Sequence, residues 1–282
     1  MSSGVPVVMQ DPGTPLTPAR LRPARFAQAL GEYLPAAIVA LLGIVLWELA
    51  LSGEGQRRQV LPPPSAIVAA LAEESGLLRR SAIATFTEAV GGLLIGSLAG
   101  IVVAFASSRW TSARAALLPM AIAANAIPII AIAPIINNWF GVLNPLSKMM
   151  MAALLVFFPV MINVTRGLTQ VEPSALELMR SYAASEWEVL RRVRIPNALP
   201  YLFTALKVGS TLSLIGAIVG EYFGGASEVL GRVIVKEASS GRFDVTWAAI
   251  LLAALAGITF YLVIVILERL LIPWHAAQRA PR

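Results

Sequence analysis

The sequence contains no cysteine, which removes disulfides, thiolate catalysis and cysteine metal sites at once. It has a single histidine, His275, in a polar stretch without an evident partner, so neither imidazole catalysis nor a metal site is expected. Charge is scarce, with Asp, Glu, Lys and Arg making up 13% of the 282 residues, and no convergent set of His, Cys and carboxylate is visible. No G-x-x-x-x-G-K-[ST] loop occurs, so the chain has no phosphate cradle of that kind. These absences leave little material for bond-breaking chemistry.

What is abundant is apolar surface. Hydrophobic residues make up 57% of the chain and the mean hydropathy is +0.74. Several apolar runs approach the ~20 residues that a helix needs to cross a ~30 Å hydrocarbon layer. The runs are continuous rather than alternating, and a backbone in lipid must satisfy its own hydrogen bonds, so they predict helices and not barrel strands. The expected fold class is all-α and polytopic, with spans near 34–53, 84–106, 117–139, 145–165, 201–221 and 246–268.

Lys and Arg exceed Asp and Glu by 22 to 16. In a soluble chain that excess would raise nucleic acid as a partner, but beside membrane spans it reads as orientation charge, and no nucleic acid is expected. Thirteen Lys and Arg fall on the side of both termini and eight on the other, which predicts both termini in the cytosol. Residues 1–30 hold Pro6, Pro12, Pro15, Pro18 and Pro23 with Arg20, Arg22 and Arg25, the composition of a disordered cytosolic tail. The first apolar run is long enough to span and reads as a retained helix, not a cleaved leader. A membrane domain over 31–272 and a cytosolic tail over 273–282 complete the expected organisation. In the first outer loop, the proline run of LPPPSAIVAALAEESGLLRR precedes Ile67, Ala70 and Leu71, which predict a short amphipathic surface helix.

Gly92, Gly96 and Gly100 recur at intervals of four in span two and predict close helix packing, more readily inside one subunit than between two. Span three carries Pro119, Pro128 and Pro134 with Asn125, Asn137 and Asn138, so it reads as a broken, amide-bearing helix suited to a solute path, or as a kinked packing helix. Pro159 and Asn163 make span four a weaker case of the same kind. Ser210, Thr211 and Ser213 add hydroxyls to the candidate path: Asn125, Pro128, Asn137, Asn138, Asn163, Ser210, Thr211 and Ser213. Lys207 is expected to snorkel to the interface as an anchor. Glu221 reads equally as an outer-side contact or a solvated helix end.

The densest charge lies in ELMRSYAASEWEVLRRVRIPNALP, residues 177–200. Ser174 with Glu177, and Ser185 with Glu188, both have capping-box spacing, predicting two short helices jointed at Ala183 and Ala184, with Pro196 stopping the second at Ile195. Leu178, Met179 and Tyr182 share one face, and Val189, Leu190 and Val193 another. Short amphipathic helices need a partner, and Tyr182 and Trp187 beside charge read as docking surface.

This segment resembles the EAA loop of permease subunits of binding-protein-dependent ABC importers. Glu177 matches the acidic position, Ser185 the serine that follows, and Ile195-Pro196 the closing pair. Leu178 and Met179 stand where the family has alanines, and Ala183 where it has glycine. A left-handed alanine would cost roughly 1–2 kcal/mol, so a more helical turn is expected here. AIPIIAIAPIINNWFG, SKMMMAALLVFFPVMINVTRGL and GEYFGGASEVLGRVI extend the resemblance over the chain from about Leu61, toward the branch that imports nitrate, sulfonates and taurine, with relatives for pyrimidine precursors and riboflavin.

The resemblance implies a type I importer permease fold, multi-pass in the bacterial inner membrane, with a coupling loop over 172–200. It implies docking of an ATP-binding subunit, in two copies, on Glu177, Leu178, Tyr182, Ala183, Ala184, Ser185, Trp187, Ile195 and Pro196. It further implies a second copy of this chain, a periplasmic or lipid-anchored solute-binding protein, and transport by alternating access. ATP and Mg would be held by the partner subunit, with no cofactor in this chain. The rival reading is a secondary transporter or channel, which would be expected to carry intramembrane acids for ion coupling; Glu48 and Glu88 both fall near predicted span ends.

Overall fold

A computed structural model describes residues 24–52, 60–124 and 126–273. All regular structure among them is helical: α1 (Ala24–Leu51), α2 (Pro64–Glu73), α3 (Ser75–Arg109), α4 (Thr111–Ala124), α5 (Ile129–Phe140), α6 (Pro145–Thr169), α7 (Pro173–Ser181), α8 (Glu186–Val189), a π-helical turn (Leu190–Arg194), α9 (Ile195–Tyr222), α10 (Leu230–Ser239) and α11 (Phe243–Leu271). Five helices are long and apolar enough to cross a bilayer, and six spans result if the bent pair α4–α5 counts as one. The chain up to Ala50 forms one unit and the chain from Leu51 another. α1 begins at Ala24, so residues 24–30, expected in an unstructured tail, are helical. Residues 1–23 and 274–282, His275 included, lie outside the described residues.

In the second unit α3, α6 and α9 form the centre. Gly92, Gly96 and Gly100 face α6 within the same chain. A Cβ at Gly92 would stand 2.8 Å from the Met149 carbonyl, at Gly96 2.9 Å from Ala153 Cα, and at Gly100 2.9 Å from the Phe157 carbonyl. The two backbones therefore approach closely only because these side chains are missing, and dispersion between them replaces the hydrophobic drive that lipid does not supply. Ala89, Leu93, Val156, Val160, Val164, Phe203, Leu214 and Ala217 fill the shared core, and Phe260 of α11 joins it edge-to-face with Phe86, ring centroids 5.0 Å apart.

The third apolar run is broken, by a bend of 95° between Ala115–Ala124 and Ile129–Phe140. Pro119 and Pro134 are both tolerated inside helices, and Pro128 sits in extended conformation as the N-cap of α5. A proline disfavours helical geometry at the residue before it, which ends α4 ahead of Ile127.

The two ends of the bundle differ. At one end α7 and α8 make the charged hairpin. At the other, α2 and α10 lie across the helix ends. The predicted surface helix is present as α2, burying Ile67 and Ala70. α10 was not foreseen, although Leu230, Val233, Ile234 and Glu237 are buried at helical spacing. Ion pairs tie this end together: Arg80 to Glu228 at 2.9 Å, Arg242 to Glu74 at 2.6 Å and to Glu237 at 3.3 Å. The Glu74 carboxylate raises the Arg242 guanidinium above its ordinary pKa, so the pair stays charged. Trp247 Nε1 donates to the Val60 carbonyl at 2.8 Å.

Lys207, expected as an interface anchor, is ion-paired. Its ammonium meets the Glu268 carboxylate at 3.0 Å, tying α9 to α11, with the two side chains only 24% and 18% exposed. Glu268 sits near the end of α11, sixty-one residues away in sequence, and local spacing gives no sign of that pairing.

Candidate functional site

The hairpin is built from local signals. α7 starts at Pro173, with Glu172 as its N-cap and no side-chain cap, so the expected Ser174–Glu177 box does not form. Proline suits the first helical position, where its missing N–H is no loss, and this moves Ser174 inside the helix. The second box does form: the Glu188 amide donates to Ser185 Oγ at 3.3 Å and the Ser185 amide to the Glu188 carboxylate at 3.0 Å.

Between the helices the chain reverses at Ala183, whose φ of +49° is the one positive value among described residues other than glycine. The Ala183 amide donates to the Arg180 carbonyl at 2.9 Å and the Ala184 amide to the Met179 carbonyl at 3.0 Å, the paired bonds of a Schellman cap. The more helical turn expected for alanine is thus not adopted. The two cap bonds, and the capped α8 beyond, outweigh the steric cost of a left-handed alanine.

Pro196 does not stop the second helix. Ahead of it the backbone widens into the π turn, with the Ile195 amide donating to the Leu190 carbonyl five residues back. A proline ring clashes with the carbonyl four residues earlier, and a π turn moves that carbonyl aside. α8 therefore runs on into α9, a continuous helical stretch over Glu186–Tyr222.

The neck of the loop is stapled by Asn197, whose Nδ2 donates to the Gly167 carbonyl at 2.7 Å and to the Gln170 carbonyl at 3.1 Å. Gly167 allows the approach, since a Cβ there would stand 2.6 Å from Ala198 Cα. Asn197 was missed in the sequence because an asparagine after Ile-Pro reads as a turn residue; only the thirty-residue closure shows its partners.

The outward surface of the hairpin is apolar and aromatic. Leu178 is 56% exposed, Tyr182 76% and Trp187 66%. Glu177, Ala183 and Ser185 are also exposed and Ala184 is half-buried, so seven of the nine expected docking residues cluster on or beside this surface. Ile195 and Pro196 do not belong to it. Both are half-buried, and Ile195 packs against the protein's own core. Beneath α8 a cavity of about 570 Å³ is lined by Phe105, Ser108, Arg109, Trp187, Leu190 and Arg194 among others, separating part of the hairpin from the end of α3.

The path candidates are scattered. Asn125 lies outside the described residues. Pro128, Asn138 and Thr211 are exposed. Asn137 is 2% exposed and neither atom of its amide has a partner. Asn163 donates to the Pro159 carbonyl of its own helix at 2.8 Å. Ser210 and Ser213 are fully buried and donate to the Lys207 and Ser210 carbonyls. The structure therefore does not gather the seven described residues into one lining. The α3–α5–α6 groove that does open, about 420 Å³, is lined by apolar side chains including Ile95, Ile132, Trp139 and Phe157.

Residues 92–275 match the family described as binding-protein-dependent transport system inner membrane component. The chain belongs to this family. Among its relatives is the riboflavin transport system permease protein RibX of Chloroflexus aurantiacus, 34% identical over 255 residues, covering 88% of this chain and 91% of that protein. The formylaminopyrimidine transport permease protein ThiX of Halalkalibacterium halodurans is 32% identical, covering 84% and 94%. A crystal structure of an amino acid ABC transporter with histidines has the same fold, with a TM-score of 0.56 at 20% identity, over 71% of this chain and 96% of that one. The permease is thus a multi-pass inner-membrane component of an ABC importer, whose family works with an ATP-hydrolysing subunit and a solute-binding protein.

Proposed function

We propose that the permease couples solute passage to ATP hydrolysis through the α7–α8 hairpin, which seats in the partner ATPase subunit. The observation that carries this reading is the exposed trio Leu178, Tyr182 and Trp187 on a doubly hydrogen-bonded turn beyond the spans. Aromatic side chains left exposed on a rigid support are what a protein partner buries as anchors. The hairpin end faces the cytosol, in keeping with the excess of Lys and Arg on that side. Two copies of the permease, each with its own ATPase subunit, enclose the path and rock between two packings that open it to either side. ATP and Mg bind in the partner.

The solute is a small nitrogen heterocycle. The names of RibX and ThiX refer to such compounds. Substituting Tyr182→Glu together with Trp187→Glu should leave membrane insertion intact and abolish co-purification of the ATPase subunit. Undiminished recovery of that subunit would overturn the docking role. Uptake driven by the partner binding protein should follow a labelled flavin or pyrimidine; uptake of a sulfonate instead would overturn the solute class.

A further inference from the structure

At the end opposite the hairpin, four helices each contribute one group to a buried cluster. α3 gives Glu88, 5% exposed; α6 gives Lys148, 1% exposed; α9 gives Glu221, fully buried; α10 gives the backbone N–H of Gly231. Glu88 and Glu221 interact with each other, and both lie within electrostatic reach of Lys148, whose ammonium hydrogen-bonds elsewhere and makes no direct ion pair with either. Glu221 Oε2 accepts the Gly231 N–H at 2.6 Å, and Thr85 Oγ1 of α3 accepts the Leu230 N–H at 2.9 Å. α10 has no side-chain cap of its own, so α9 and α3 supply its N-terminal acceptors. Gly231 permits this contact: a Cβ there would lie 2.7 Å from Glu221 Cβ and 2.8 Å from Oε2. Lys148 donates to the Val142 carbonyl and, at 2.9 Å, to Ser147 Oγ.

The cluster is complete only when all four helices meet. One buried ammonium accompanies two buried carboxyl groups, and one oxygen of each, Glu88 Oε2 and Glu221 Oε1, has no hydrogen-bond partner. Groups of this kind are tolerated out of water only while their partners stay in place, and they are strongly solvated once water enters. The arrangement therefore has two states, dry and connected or open and hydrated, with little to favour anything between. Such an element suits a transporter whose helices exchange between discrete packings.

We propose that Glu88, Lys148, Glu221 and the N-terminus of α10 form an ionic latch that holds this end of the permease closed. The latch rests on the alternating-access reading above, but it is testable without ATP or a partner subunit. These are positioning residues and make no contact with solute. The latch differs from the Lys207–Glu268 pair, which joins only two helices.

Because the chain has no cysteine, one introduced thiol reports accessibility cleanly. Ser81 lies four residues before Thr85 on α3 and is fully buried. In membranes, the S81C thiol should react slowly with a water-soluble maleimide. Adding Lys148→Met should speed labelling at least about tenfold, and adding Glu221→Gln to that variant, which removes the carboxyl charge but keeps an oxygen to accept the Gly231 N–H, should return it to within about threefold of the parent, since charge balance rather than lysine itself is what matters. Gly231→Ala, which pushes α10 off Glu221 with no change of charge, should also speed labelling. Equal rates in all variants would overturn the latch, as would a double variant that labels as fast as Lys148→Met alone. Should Lys148→Met fail to accumulate, recovery of the double variant supports the latch, and parental labelling of Gly231→Ala overturns it. A normal latch in a chain that never captures an ATPase subunit would instead count against the coupling reading.

Discussion

Replacing Ala183 by glycine tests whether the left-handed turn is a cost that the hairpin carries. At φ +49° an L-residue meets steric crowding that glycine avoids. The gain from removing a left-handed alanine, roughly 1–2 kcal/mol, less about 0.4–1 kcal/mol for the added freedom of glycine in the unfolded chain, leaves about 0.8 kcal/mol in favour of the turn. At 1.4 kcal/mol per tenfold, this slows local opening about fourfold. The readout is amide hydrogen exchange of the nanodisc-embedded protein at Ala184, whose N–H bonds to the Met179 carbonyl, and at Tyr182, whose N–H bonds to the Leu178 carbonyl. Ala183→Gly should slow both, while core amides of α6 stay unchanged. Ala183→Val, a β-branched residue at positive φ, should accelerate them about tenfold. If glycine leaves exchange unchanged or speeds it, or valine is silent, the turn does not hold its left-handed form in the membrane-bound protein and the account of the cap is wrong.

Gly96→Ala places a methyl group against the Ala153 backbone and should cost about 1–3 kcal/mol through forced separation of α3 and α6. This would show as a lower melting temperature of the detergent-solubilised permease, whereas Gly43→Ala, with nothing within 4 Å of its added Cβ, should not have that effect. Lys207→Met strands the Glu268 carboxylate in a partly buried site and should lower stability by about 1–3 kcal/mol, with most of the loss recovered in Lys207→Met/Glu268→Gln. Recovery is the decisive measurement, since a lysine acting only as an interface anchor would show none. Asn197→Ala removes two bonds at the neck of the loop and should cost about 1–2 kcal/mol, seen as faster exchange in α7 with the α3–α6 core unaffected.

Much of the fold was legible because membrane spans announce themselves by composition: an apolar run must be a helix whatever its neighbours are. The Ser185–Glu188 box was legible for the same reason, since both partners lie within one turn. The neighbouring Ser174–Glu177 pair has equal spacing and failed, because Pro173 claims the first helical position. Pro196 was misread since its local rule ends a helix, while the observed π turn lets the chain pass. The latch residues were hidden differently. Glu88, Lys148 and Glu221 lie sixty and seventy-three positions apart, each near a span end, where a charged residue ordinarily meets water. α10, itself too short to register as a span, packs on Glu221, and the burial of all three comes from helices far apart in sequence. The candidate path was the least legible part, because amides and hydroxyls in helices bond to their own backbone as readily as to a solute, as Asn163, Ser210 and Ser213 do.

The unbroken run from Trp187 to Glu221 joins the two ends of the molecule by one piece of secondary structure. From the π turn to Glu221 is about 29 residues, so with ~1.5 Å per residue a tilt of about 10° there sweeps the far end through ~7.5 Å. That is wider than a water molecule and comparable to the width of a small planar ring. Modest rocking where Trp187 sits would therefore suffice to part Glu221 from Gly231, and no signal would have to pass through soft loops on the way.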